Sequence, residues 1–155
     1  MRHWSAGMSK DDTPHTLDAP STILLIKWAE MAVRSRVEKA LRPLRLSSGQ
    51  LLLLVLLERS GENTPAALAR ALHLTPQAMT TLLRPLDARK LLARREDAAN
   101  RRRILLSLTG EARAILREVR ALTPAIEAEL IAGTLDAGEV SALRGLLARI
   151  ASPTV

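Results

Sequence analysis

Cysteine, phenylalanine and tyrosine are absent from the 155-residue sequence, and its aromatic content is limited to Trp4 and Trp28. Without cysteine there are no disulfide staples, thiolate zinc sites or thiol redox switches, which suits a reducing cytoplasm. Without phenylalanine and tyrosine, the apolar content falls on Leu, Ala, Ile and Val. Leu and Ala are strong helix formers, whereas strands favour aromatic and β-branched residues. The composition therefore predicts a mostly helical protein. Residues Met1 to Lys10 hold no apolar h-region, so no signal peptide is expected. The longest greasy run, Leu51 to Leu57, falls far short of the roughly 20 residues that span a bilayer. A soluble, cytoplasmic protein without a membrane partner is expected.

Signatures of catalysis are missing too. No phosphate-binding glycine loop, His-Glu-x-x-His helix or nucleophile elbow occurs, so no catalytic residues and no cofactor are expected. His3, His15 and His73 are scattered, which disfavours a metal site. What is present is an apolar fraction of 47%, enough for one domain with its own core. The formal charge of +7 and a pI near 11.1 call for a polyanionic partner, either nucleic acid or an anionic membrane surface.

Along the chain, residues 1–17 read as a polar, mobile tail. Apolar residues then recur at helical spacing from Asp18 to Arg42 (Leu25, Ala29, Val33, Val37, Leu41), and Pro43 ends the run. Ser47 with Gln50 forms a capping box for a second helix reaching about Arg59. Thr64-Pro65 and Thr75-Pro76 each place a capping hydroxyl before a proline at the first helical position. Between the short helix from Pro65 to Leu72 and the helix from Pro76 lie only His73, Leu74 and Thr75, which is the spacing of a helix-turn-helix. Leu91–Arg95 and Ile104–Leu108 predict two short strands joined by a hairpin tip over 97–103. Thr109 caps a further helix, with a kink or restart expected at Thr123-Pro124, and Asp136 opens the last one. A helix pair followed by a basic hairpin is the layout of a winged helix.

On the helix from Pro76, Met79, Leu82, Leu83 and Leu86 share one face, while Gln77, Thr80, Thr81 and Arg84 share the other. Such a helix can rest on a core and still enter a major groove. There Gln suits adenine, Arg suits guanine and Thr methyls suit thymine. The segment from Arg84 to Arg103 carries eight basic residues against Asp87, Glu96 and Asp97, which is +5 of the chain's +7. Three successive arginines at a tight turn, with few acids nearby, would bind phosphates or a narrow minor groove. The candidate contacts to double-stranded DNA are Thr64, Thr75, Gln77, Ala78, Thr80, Thr81, Arg84, Arg94, Arg101, Arg102 and Arg103. An ordinary amphipathic surface helix and a merely solvated charge run are the plainer alternatives.

Leu68-Ala69, the helix from Pro76 to Arg89, Leu91-Leu92-Ala93-Arg94, and Asn100-Arg101-Arg102-Arg103 running into Leu108-Thr109-Gly110 resemble the multiple antibiotic resistance regulator (MarR) family. The resemblance covers about Leu17 to Ala151. Its most specific element is the wing arginine, matched by Arg102, seven residues before Thr109 in the Leu-Thr start of the next helix. Three positions depart from the family pattern. Asn100 stands where the family usually has Asp, Lys90 replaces a glycine after the recognition helix and must turn left-handed or end the helix otherwise, and Pro85 lies inside that helix. A kink near Arg84 is expected, since an interior proline costs on the order of 3 kcal/mol in a regular helix.

The expected fold is mostly α, a winged helix-turn-helix with a small β-hairpin wing, flanked by N- and C-terminal dimerisation helices. The division is a tail over 1–17, a dimerisation helix over 18–46, a DNA-binding domain over 47–108 and dimerisation helices over 109–155. The flanking helices carry more apolar surface than the central module can cover, so a homodimer reading a palindrome is expected over a compact monomer. The resemblance also implies a repressor released by a small anionic aromatic effector in the cleft between the dimer helices and the DNA module, where Trp28, Met31 and His73 are the candidate lining. The competing reading is a winged-helix protein–protein interaction module, such as an anti-repressor, that does not itself bind DNA. A membrane-surface role fits less well, because the basic residues sit on a turn rather than along an apolar-backed helix.

Overall fold

The structure is a computed structural model, and it describes residues 20–151 apart from residue 132. The tail over 1–17, with His3 and His15, lies outside the described residues. Six helices and three short strands follow in the order α1 (Thr22–Leu41), α2 (Ser48–Ser60), β1 (Glu62–Asn63), α3 (Pro65–Ala71), α4 (Pro76–Ala88), β2 (Leu92–Asp97), β3 (Asn100–Leu108), α5 (Gly110–Ile131) and α6 (Ala137–Ile150). The fold is mostly helical, as its leucine- and alanine-rich composition predicts.

The caps are where the side-chain chemistry places them. Ser47 and Gln50 exchange the two bonds of a capping box at 3.2 and 3.0 Å. Thr64 accepts from the Ala67 amide and Thr75 from the Ala78 amide, each at 3.2 Å. Asp136 and Glu139 form a second capping box at the start of α6. Each cap gives a partner to an amide that has none within its own helix.

Several boundaries differ from the sequence reading. α1 begins at Thr22, where Ser21 caps it, accepting from the Leu24 amide at 3.3 Å. It therefore spans 20 residues, shorter than the run of periodic residues implies. Arg42 keeps a helical backbone before Pro43, at φ −52° and ψ −48°. The helix stops because Pro43 has no N–H, and the chain tightens into bonds from Leu44 to Leu41 and from Arg45 to Arg42, both 3.0 Å. α4 continues as one helix through Pro85, and α5 through Pro124 with no restart. In both, the carbonyl freed by the proline belongs to an exposed residue, Thr81 or Arg120, where water can satisfy it.

The three strands form one antiparallel sheet in the order β1-β3-β2. β1 pairs Glu62 with Ser107 and Asn63 with Leu106, a strand with no alternating pattern to announce it. The core is built from leucine. Leu53, Leu54 and Leu57 of α2 meet Leu68, Leu86, Leu91, Leu106 and Leu116, all fully buried. A Cβ on Gly49 would lie 3.3 Å from Leu82 Cδ1, so the missing side chain lets α4 approach the start of α2.

The flanking helices are less satisfied. Among the described residues α6 has no buried side chain, while Leu143, Leu146, Leu147 and Ile150 stand 38–67% exposed. Ile23, Leu25, Trp28 and Met31 of α1 are also at least half exposed. Among the described residues no helix is long and apolar enough to cross a membrane.

Leu54→Ala is expected to cost about 2–5 kcal/mol in urea denaturation, because it opens a cavity in the core. Leu52→Ala, two residues away on the 56% exposed side of α2, is expected to cost less than about 0.5 kcal/mol.

Candidate nucleic-acid interface

α3, the turn and α4 make the helix-turn-helix. The turn closes with His73 N–H donating to Arg70 at 3.1 Å and Leu74 N–H to Ala69 at 2.8 Å. His73 takes a left-handed backbone there, φ 52°, and is exposed. α4 then presents two unlike faces. Met79, Leu83 and Leu86 are buried in the core and Leu82 is half-buried beside them. Gln77, Ala78, Thr80, Thr81 and Arg84 are exposed on the other side.

The chemistry of that outer face is specific. Thr80 donates its hydroxyl to the Pro76 carbonyl at 2.9 Å, and Thr81 donates to Gln77 at 3.0 Å. Both hydroxyl protons are thus used within the helix, leaving methyl groups and acceptor lone pairs outward. Gln77 and Arg84 have no side-chain partner among the described residues. One short surface therefore offers an amide, a guanidinium and two methyls, which are the groups that read base edges. Thr75 caps this helix and lies beside its outer face. Thr64 is at the start of α3, half-buried, and its oxygen is occupied by the Ala67 amide.

Lys90 supplies the reversal after α4. It has no glycine's freedom, yet it adopts φ 55°, and its amide bonds the Asp87 carbonyl at 2.9 Å. Arg89 donates from Nη1 to the Arg45 carbonyl at 2.8 Å, which ties the end of α4 to the loop after α1.

The wing differs from its expected shape. The tip is only Ala98 and Ala99, not the span 97–103, and the strands are correspondingly longer. Asp97 Oδ1 caps the Ala99 amide at 3.0 Å, and Asn100 Oδ1 caps the Arg102 amide at 3.1 Å. Asn100 thus holds the backbone of the wing arginine. Pairing runs from Glu96↔Ile104 to Asp97↔Asn100, so Arg101, Arg102 and Arg103 bulge from β3 with no partner residue on β2. All three are exposed and form no ion pair among the described residues. They are not on the turn itself but on the strand beside it.

Arg94 and Arg95 have the opposite fate. Arg94 grips Asp87 of α4 through Nε at 3.2 Å and Nη2 at 2.6 Å. The Asp87 carboxylate raises the Arg94 guanidinium above its ordinary value. Arg95 binds Glu62 of β1 through Nε at 2.7 Å and a second bond from Nη2. Hydrogen bonding from Arg95 holds the Glu62 carboxyl below the ordinary glutamate range. These two pairings were not foreseen from the sequence. Their only signals were the seven-residue offset of Asp87 from Arg94 and a lone acid, Glu62, before the helix-turn-helix.

Trp28 and Met31 are three residues apart on α1, 52% and 57% exposed. An apolar groove of about 790 Å³ runs between α1, α5 and α6, walled by Leu25, Val33, Val119, Ile126, Val140 and Leu147. A smaller cavity of about 450 Å³ lies between α3 and α4, near Arg70, Leu74, Met79 and Thr80. Neither Trp28, Met31 nor His73 lines either of them. Among the described residues no three histidine, aspartate or glutamate side chains group as a metal site.

Comparison with known proteins agrees with this geometry. The family model described as the MarR family matches residues 46–104. An HTH-type transcriptional repressor of Mycobacterium bovis and one of Mycobacterium tuberculosis are each 34% identical over 115 residues, covering 74% of this chain and 82% of the relative. Among solved structures, a mutant of MarR from E. coli complexed with operator DNA superposes with a TM-score of 0.72 at 24% identity, covering 83% of this chain and 91% of that one. BpsR of Bordetella bronchiseptica, whose DNA binding is regulated by 6-hydroxynicotinic acid, gives a TM-score of 0.71 at 25% identity over 84% of this chain and 92% of its own.

The lowered carboxyl of Glu62 fixes the sign of one pH effect. A carboxyl depressed in the folded state favours folding above its unfolded value and loses that contribution as pH falls through the folded value. Carbon-13 NMR is expected to show Glu62 titrating below an ordinary glutamate, and Arg95→Gln is expected to return it to the ordinary range. An ordinary midpoint in the unmodified chain contradicts the pairing.

Proposed function

The chain belongs to the MarR family, and from that premise we propose that it represses transcription by holding a palindromic operator as a homodimer. It is a DNA-binding transcriptional regulator and not an enzyme. The observation that carries the reading is the shared exposure of two unlike surfaces, the hydrogen-bonding face of α4 with its single cation, Arg84, and the unpaired arginines of the wing. A recognition helix enters a major groove, and a strand-borne arginine cluster suits the phosphates or the narrow minor groove alongside. Gln77, Thr80, Thr81 and Arg84 would read base edges. Thr75, Ala78 and Thr64 would approach the backbone, with Arg101, Arg102 and Arg103 gripping it from the wing.

The division of labour follows. Residues 47–108 bind DNA, while 18–46 and 109–155 dimerise. The bare apolar sides of α1 and α6 support this, because exposed leucines on two neighbouring helices gain most by meeting their own copies. Two modules related by a two-fold axis then meet two half-sites about one helical turn apart. Release by a small anionic aromatic effector is part of the same proposal, supported by the regulation of BpsR by 6-hydroxynicotinic acid. Trp28, Met31 and His73 remain its candidate contacts. A cytoplasmic location follows from the same reading.

The test is a salt titration of operator binding by fluorescence anisotropy. Arg102→Ala is expected to weaken binding and to reduce the slope of log affinity against log salt by about 0.9, the value for one lost phosphate contact. An unchanged affinity and slope would remove Arg102 from the contact, and no binding of any duplex by the unsubstituted chain would favour a winged-helix module that binds another protein instead.

A further inference from the structure

Two readers on one duplex must hold a fixed mutual angle. A wing that pivots on α4 loses affinity, since each encounter must then order it. The junction between them is only Arg89, Lys90 and Leu91, and its backbone runs through the left-handed Lys90. Asp87 and Arg94 span this junction from the last turn of α4 to β2, with one bond to each carboxylate oxygen, at 3.2 and 2.6 Å. A guanidinium meeting both oxygens of a carboxylate fixes orientation as well as distance. Successive strand residues point to opposite faces, and Arg95 is tied on the other side to Glu62 of β1. β2 is therefore fastened from both faces, just before the bulge that carries the free arginines.

We propose that Asp87 and Arg94 are positioning residues for DNA recognition, and that their ion pair sets the angle of the wing to the recognition helix. The inference rests on the DNA-binding reading. It deepens that reading by making Arg94 a brace rather than a phosphate ligand. Arg94 is 46% and Asp87 32% exposed, so the pair contributes little to global stability. Its work is on geometry.

The sign of one substitution separates a brace from simple electrostatics. Asp87 is a negative charge beside a polyanion. If charge alone matters, Asp87→Asn strengthens DNA binding; if the brace matters, the same change weakens it. The full-length chain, Asp87→Asn, Arg94→Gln and the exchanged pair Asp87→Arg with Arg94→Asp are titrated with an operator duplex at several salt concentrations. Amide hydrogen exchange is followed in the same variants without DNA.

Asp87→Asn and Arg94→Gln are each expected to weaken binding about tenfold, a coupling typical of residues in direct contact, with the salt slope unchanged. The exchanged pair is expected to recover most of the loss. Amides of β2 and β3 are expected to exchange faster in the single variants while α2 and Tm stay as they were. Equal or tighter binding by Asp87→Asn overturns the proposal. So does a loss in Arg94→Gln accompanied by a slope lower by about 0.9, which marks a phosphate ligand. Failure of the unsubstituted chain to bind any duplex overturns the DNA reading itself, and the brace with it.

Discussion

Met79, Leu83 and Leu86 face inward from one side of α4, against a core made mostly of leucine. Every functional feature depends on that burial. Because these three side chains must leave water, the opposite face of the helix has to stand in it, and that face carries Gln77, Thr80, Thr81 and Arg84. The same core holds Leu91, Leu106 and Leu108, the roots of the wing. Helix and hairpin are thus anchored to one hydrophobic body, and the arginines extend from it without supporting it. Gly49 and the Thr75-Pro76 cap refine the placement by bringing α4 close to α2 and starting it abruptly.

The basic residues that dominate the charge are not one population. Arg94, Arg95 and Arg89 are spent on Asp87, Glu62 and the Arg45 carbonyl. Arg101, Arg102 and Arg103 are left over, on a bulge whose partner strand offers them nothing. Desolvating a guanidinium already tied to a carboxylate yields less than engaging one held only by water, so phosphates would be met first by the unpaired group. Net charge draws the chain toward a polyanion, and local pairing decides which residues make the contact.

Much of this was legible in the residues themselves. The Thr-Pro pairs located α3 and α4, because a capping hydroxyl followed by proline has few other uses, and the 3.6-residue period of Met79, Leu83 and Leu86 fixed the buried face. Lys90 took the left-handed conformation, one of the two outcomes its position allowed. Other features were not legible. β1 is two residues long and exists only because β3 runs past it. The tip shrank to Ala98 and Ala99 because register is set by pairing across the hairpin, which local sequence does not state. A restart was one of the two outcomes expected at Thr123-Pro124, yet α5 runs on through Pro124, as α4 does through Pro85. Trp28 and Met31, the candidate lining of an effector cleft, are half exposed in one chain.

On the proposed reading, that exposure and the unburied leucines of α6 would be covered by a second copy, which would bring a second reading head. The account stands or falls on both heads meeting one duplex. Selection of bound fragments from random double-stranded DNA by the purified full-length chain tests this most directly. An enriched inverted repeat, with half-site centres about 10 base pairs apart or a multiple of that, is the predicted result. Enrichment of no sequence even in dilute buffer, or of a single unrepeated half-site, would contradict it.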